Sequence, residues 1–172
     1  MAIIPDGKDW TWVLTRPCPE CGFDAQGVTP ATVASTVPTL VPRWQSVLRR
    51  PDAEERPDES TWSPLEYAAH VRDVFSLFDH RLHLMLEQED PGFADWDQDA
   101  TALAEDYAHQ QPEKVSAELA AAGAEIAASF AAVRPAQWQR RGTRSNGSVF
   151  TVETFSQYFL HDVVHHLHDV DG

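Results

Sequence analysis

Residues 62–88 read WSPLEYAAHVRDVFSLFDHRLHLMLEQ, and this stretch decides the fold class. Ser63 can cap a helix, Pro64 falls at its first position, and Glu66 lies three residues after Ser63, which completes a capping box. From there Tyr67, Val71, Val74, Phe75, Phe78, Leu82 and Met85 recur at three- and four-residue spacing, the period of a helix with one face buried in a bundle. His70 falls on the same side, among Tyr67, Val74, Leu77 and Phe78. A histidine on an apolar face is either a core residue with satisfied hydrogen bonds or a ligand.

Upstream, a helix is predicted over about 30–49, with Pro38 and Pro42 set to kink or shorten it. Segment 49–62, RRPDAEERPDESTW, is charged, holds two prolines and reads as a solvated connection. Downstream, EDPGFADWDQDA breaks the second helix, and the Ala-rich stretch 98–133 is helical by propensity, with Pro112 dividing or kinking it. WQRRGTRSNGSVF carries the Asn146-Gly147 pair of a tight turn or small hairpin. A last helix is expected over 152–169. No internal repeat or low-complexity linker appears. The reading is all-α: one four-helix bundle over residues 30–172, preceded by an irregular arm over 1–29, rich in Trp, Pro and Gly, that packs on the body.

A chain of 172 residues fits one domain with a core of its own. The net charge of −14, from 27 acidic and 13 basic residues, opposes attraction to phosphate backbones or anionic lipid, so no nucleic-acid partner is expected. No apolar run is long enough to cross a bilayer, and MAIIPDGKDW lacks the features of a signal peptide, so a cytoplasmic protein with no membrane association is expected. In that compartment Cys18 and Cys21, in RPCPECGFD, are thiols or metal ligands sooner than a disulfide. CPECG resembles one knuckle of a zinc ribbon, but a second CxxC is absent. The first reading is a turn in which cysteine packs as a small hydrophobe; a redox pair and a metal site completed by another subunit are the others. Pairing through helix faces would give a homodimer, although no stripe demands it.

The last helix holds YFLHDVVHHLHDV, residues 158–170, with four histidines in eight positions. His161 and His165 are one turn apart, and both rings can reach toward one point. The ladder Phe155, Phe159, Val163 and Leu167 lies nearly opposite them. Thr154, Tyr158 and His168 share the histidine side, and His166 points elsewhere. An HxxxH pair is also common on solvated helix faces. A third ligand would decide between the two, and His70 is the candidate.

Together WSPLEYAAHVRDV, WQRRGTRSNGSVFTVETF and YFLHDVVHHLHDV resemble the DinB/YfiT-like superfamily of metalloenzymes, related to mycothiol-dependent maleylpyruvate isomerase N-terminal domains and bacillithiol S-transferases. The resemblance covers roughly residues 30–170 and implies an up-up-down-down four-helix bundle. It also implies a divalent metal held by one histidine of the second helix and two of the fourth, here His70, His161 and His165. Three neutral imidazoles leave a position open for water or substrate, the pattern of a catalytic site, and they suit zinc, nickel or iron alike. Glu66 and Asp73, about one turn from His70, and Asp162 and Asp169, which alternate with the histidines, are candidates to orient a ligand ring; ordinary helix-surface acids are the other reading. Tyr158 is a candidate for substrate contact, as are Arg140, Arg141 and Arg144 through an anionic group, with a solvated basic loop as the alternative. No residue is assigned a catalytic role.

The expected function is thiol transfer or isomerisation, in which a metal-activated low-molecular-weight thiol such as mycothiol attacks an electrophilic small molecule. A metal-dependent hydrolase and a non-catalytic, metal-binding stress-response module are the alternatives. A thiol requirement separates the first two, and a roomy pocket at the open metal position separates both from the third.

Overall fold

A computed structural model of the chain describes residues 9–172. The expectations for the first eight residues lie outside it. Four long helices form a bundle: α1 (Pro30–Val47), α2 (Pro64–Glu87), α4 (Pro112–Ala131) and α5 (Val152–Asp169), with a short α3 (Gln98–Ala104) between α2 and α4. Three short strands accompany them, β1 (Gly92–Phe93), β2 (Arg141–Arg144) and β3 (Val149–Thr151). The all-α expectation is therefore approximate. β2 and β3 form the hairpin around Asn146-Gly147, and β1, which follows Pro91 in the connection after α2, adds in parallel to β2.

The sequence sets the helix starts directly. Capping boxes join Thr29 to Thr32, Ser63 to Glu66 and Thr151 to Thr154, and prolines open α1, α2 and α4. Pro112 opens α4 instead of kinking one long element, because its missing N–H costs nothing in a first turn. α1 continues through both Pro38 and Pro42.

α4 packs against α1 and α2, and α5 packs against the same two helices. Between them Trp44, Phe75, Phe130, Phe155 and Phe159 are fully buried. All four residues of the α5 ladder lie in this core. α4 approaches its neighbours closely at Gly123, where a Cβ would stand 2.8 Å from Val41 Cγ2 and 3.1 Å from the Phe75 ring. Gly123→Val should lower unfolding stability by about 1–3 kcal/mol through overpacking. Equal denaturation midpoints for variant and parent would contradict this close approach.

The connection after α1 is solvated as its composition suggests, with Ala53 buried and the rest of residues 51–60 exposed, and it makes one strong contact back to α2. Arg56 reaches back to Glu66, its Nε donating to Oε2 at 2.7 Å and its Nη2 to Oε1. Glu66 Oε2 also accepts the Ser63 N–H at 2.8 Å. Burial alone would raise the Glu66 pKa, but the bonds from Arg56 and Ser63 outweigh it and hold the carboxyl below its ordinary value. Its stabilising contribution is thus present above the unfolded carboxyl's value and is lost as pH falls through the folded one. Arg56→Ala should cost roughly 1–3 kcal/mol at neutral pH, because it leaves a buried carboxylate without its cation. That cost should shrink in acid as Glu66 protonates; chemical denaturation of both proteins across the acid range checks the sign.

Candidate metal centre

Successive helical residues turn by roughly 100°, so the polar part of α5 divides into two stripes. Asp162 and His166 lie next to the apolar ladder, and His161 and His165 lie one residue further round. The first stripe faces α2, and the second meets the N-terminal segment, whose short 3-10 turn Trp10–Leu14 packs on α5.

His70 is fully buried on α2. Its ring meets that of His166 edge-on at 4.8 Å between centroids, stacks on Trp96 at 5.3 Å and tilts against Trp62 at 5.4 Å. His70 Nε2 is 3.8 Å from Asp162 Oδ1, and His166 Nε2 is 3.5 Å from the same oxygen. Both distances are too long for good hydrogen bonds. One ligand atom from each of His70, Asp162 and His166 falls within 4.8 Å of the others. Both ring nitrogens of His70 and Oδ1 of Asp162 are buried without a hydrogen-bond partner, an unfavourable arrangement unless something else occupies the space between them. His166 Nδ1 lies 2.9 Å from Asp169 Oδ2; a proton donated there leaves the Nε2 lone pair facing His70 and Asp162.

The protonation states suit a cation. Burial pushes the His70 pKa down, against the pull of Asp162. Burial would raise Asp162, but His70 and His166 hold it below the ordinary carboxylate value. A neutral imidazole beside an ionised carboxylate at neutral pH is the state that metal binding requires.

His161 and His165 belong to a different group. Among the described residues their ligand atoms fall within 4.8 Å of those of Cys18 and Cys21. The structure therefore does not gather His70, His161 and His165 into one set. His166, read from the sequence as pointing away, is instead the α5 histidine that meets His70. The physical reason is a one-residue difference in register: the stripe beside the core ladder faces the neighbouring helix, and the stripe opposite the ladder cannot.

A cavity of about 860 Å³ opens beside both groups, lined by Trp62, Trp96, Arg144, Tyr158, by His161, Asp162, His165 and His166 of α5, and by a run of acidic residues including Asp95, Asp97 and Asp99. Residues 43–170 match the DinB superfamily. The chain belongs to the DinB superfamily. A solved structure, YfiT from Bacillus subtilis, described as "a probable metal-dependent hydrolase with an unusual four-helix bundle topology", matches with a TM-score of 0.68 at 18% identity, over 83% of each chain. At that identity the likeness concerns the fold. A search of curated proteins gives no match.

Within this DinB fold the remaining expected site residues separate. Glu66 is committed to Arg56 and the α2 cap. Asp73 accepts from Arg72 Nε at 2.8 Å and from the Tyr107 hydroxyl, so it anchors the 3-10 turn after α3. Asp162 sits in the His70 group, and Asp169 bonds His166. Arg140 donates to the carbonyls of Met85 and Gln88, which closes the end of α2. Arg141 is exposed and does not line the cavity. Arg144 alone of the three lines it, tied to Asp95. Tyr158 lines it as well, and burial raises its pKa, which keeps its hydroxyl protonated.

Proposed function

We propose that this DinB-superfamily chain is a metal-dependent enzyme that transfers a low-molecular-weight thiol to an electrophilic small molecule, with the metal held by His70, Asp162 and His166. The observation that carries this reading is the fully buried His70 with both ring nitrogens unpartnered, facing Asp162 and His166 at the cavity wall. When bound there, a divalent ion supplies a lowered pKa for a thiol or water in its open position, giving a nucleophile at neutral pH. Two imidazoles and a carboxylate suit zinc, nickel or iron.

The chain's own groups do the rest. Asp162 contributes one negative charge, and the neutral imidazoles add none, so the centre keeps a net positive charge toward the cavity. Asp169 fixes the His166 ring through Nδ1. Trp62 and Trp96 enclose His70 and exclude water from its faces. The protonated Tyr158 hydroxyl can donate a hydrogen bond to a substrate oxygen from the cavity wall.

The lining also speaks to the thiol. Among the described residues Arg144 is the one Lys or Arg side chain in it, and Asp95 already neutralises that charge. Aspartates, Asn146, Ser148 and tryptophan faces suit a neutral, hydroxyl-rich molecule of the mycothiol kind better than an anionic one. With metal-loaded protein and a common electrophile, kcat/KM for such a thiol should exceed that for an anionic thiol by about tenfold or more, the scale of one unmatched charge. The reverse order would reject this assignment of the cavity.

The second reading, metal-assisted hydrolysis, uses the same open centre with water in place of thiol, and the description of YfiT as a probable metal-dependent hydrolase favours it. The deciding experiment supplies zinc-, nickel- or iron-loaded protein with electrophiles, esters and amides, with and without thiol. Turnover that requires both metal and thiol supports transfer. Turnover of esters or amides without thiol supports hydrolysis, and none with any combination leaves a binding module.

A further inference from the structure

We propose that Cys18, Cys21, His161 and His165 form a second, closed zinc site that staples the N-terminal segment onto α5. The site stands independently of the reaction proposed for the His70 group. Its four ligand atoms lie within 4.8 Å of one another, and Cys18 Sγ is 3.7 Å from His165 Nδ1. With zinc–sulfur and zinc–nitrogen bonds of about 2.3 and 2.05 Å, a tetrahedral ion sets that edge at about 3.6 Å.

The local chain is built to present two sulfurs together. In CPECG the Gly22 N–H returns to the Cys18 carbonyl at 2.9 Å, and the Cys18 N–H bonds the Phe23 carbonyl at 2.8 Å. Gly22 takes a φ of +74°, in the left-handed region that glycine adopts without strain. The loop this closes is a zinc-binding knuckle, and HxxxH on α5 supplies its missing half.

Burial points to a ligand and to a closed site. Cys18, His161 and His165 are only 2%, 4% and 6% exposed, and Cys21 is half-buried. His161 Nε2 is buried without a hydrogen-bond partner. The rings of Trp10, Trp12 and Phe23 pack around His161. His165 turns Nδ1 to Cys18, while its Nε2 faces the carboxylates of Glu20 at 3.4 Å and Asp169 at 3.7 Å. Two thiolates and two neutral imidazoles fill a tetrahedral zinc and cancel its charge, which suits an aromatic shell. Four protein ligands leave no position for substrate, so the role is structural. His161 and His165 line the cavity together with Trp10 and Glu20, and zinc here would therefore fix one of its walls.

Cobalt(II) added to metal-free protein tests this. The chain has two cysteines, so a thiolate-to-cobalt charge-transfer band can arise from Cys18 and Cys21 alone. The expected result is that band, with tetrahedral cobalt absorption, displaced by zinc. Zinc should also slow alkylation of both thiols by at least tenfold, and a chelator should restore it. The band should persist in His70→Phe and vanish in the double variant His161→Ala, His165→Ala. Cobalt binding without a thiolate band, a band that survives the double-histidine variant, or thiols that react equally with and without zinc would each overturn the site.

Discussion

His70→Phe should fold, bind one equivalent of metal fewer than the parent and lose turnover by about a thousandfold or more. A phenyl ring fills the space between Trp62 and Trp96 but offers no ligand atom. Electrostatic stabilisation by a catalytic metal is worth several kcal/mol, and each 1.36 kcal/mol is tenfold in rate. The same substitution should affect stability in a diagnostic way. In the metal-free chain His70 keeps two polar nitrogens buried without partners, a cost that phenylalanine removes. The metal-free variant should therefore melt at or above the metal-free parent. With metal added the parent should gain more than the variant, since only the parent has the additional binding site. A metal-free variant that melts well below the metal-free parent would show that His70 is an ordinary core residue.

Phe159→Ala should cost about 3–5 kcal/mol, the range for truncating a fully buried aromatic. Its ring centroid lies 5.9 Å from that of Phe75, 5.2 Å from Phe78 and 5.5 Å from Phe130, so one side chain joins α5 to both α2 and α4. The effect should also reach the metal centre, because Phe159 and Val163 seat the helix whose Asp162 and His166 must meet His70. Denaturant unfolding with and without saturating metal separates the two consequences. A loss under about 1 kcal/mol would mean that the aromatic cluster does not hold α5 in place.

The bundle was legible because its signals are local. Ser63, Pro64 and Glu66 announce α2 within four residues, and the ladder from Phe155 to Leu167 gives both the extent of α5 and its buried face. The small sheet was only half legible: Asn146-Gly147 marks the hairpin, but the two-residue strand Gly92–Phe93 owes its existence to the edge of β2. At the site, the participating helices could be read, whereas the partition of histidines could not. HxxxH at 161 and 165 and DxxxH at 162 and 166 overlap in sequence, and the choice of stripe depends on what covers the face opposite the ladder. That cover is the segment around Trp10 and Cys18. The usable clue was arithmetic: half a zinc knuckle with two cysteines and an HxxxH pair make one four-ligand set, though nearly the whole chain separates them. Glu66, Asp73 and Arg140 show the opposite problem, since residue type and spacing suit a site, yet each is engaged by a loop, a turn or a helix end visible only after folding.

The most direct test is the metal content per chain of parent, His70→Phe, His161→Ala and the double variant Cys18→Ser, Cys21→Ser, each saturated with zinc and freed of loosely bound ion before elemental analysis. Two ligand groups predict two equivalents in the parent and one in each of the other three proteins. A single equivalent in the parent, lost with either His70 or His161 and indifferent to the cysteines, would contradict the partition and restore one site shared by His70, His161 and His165.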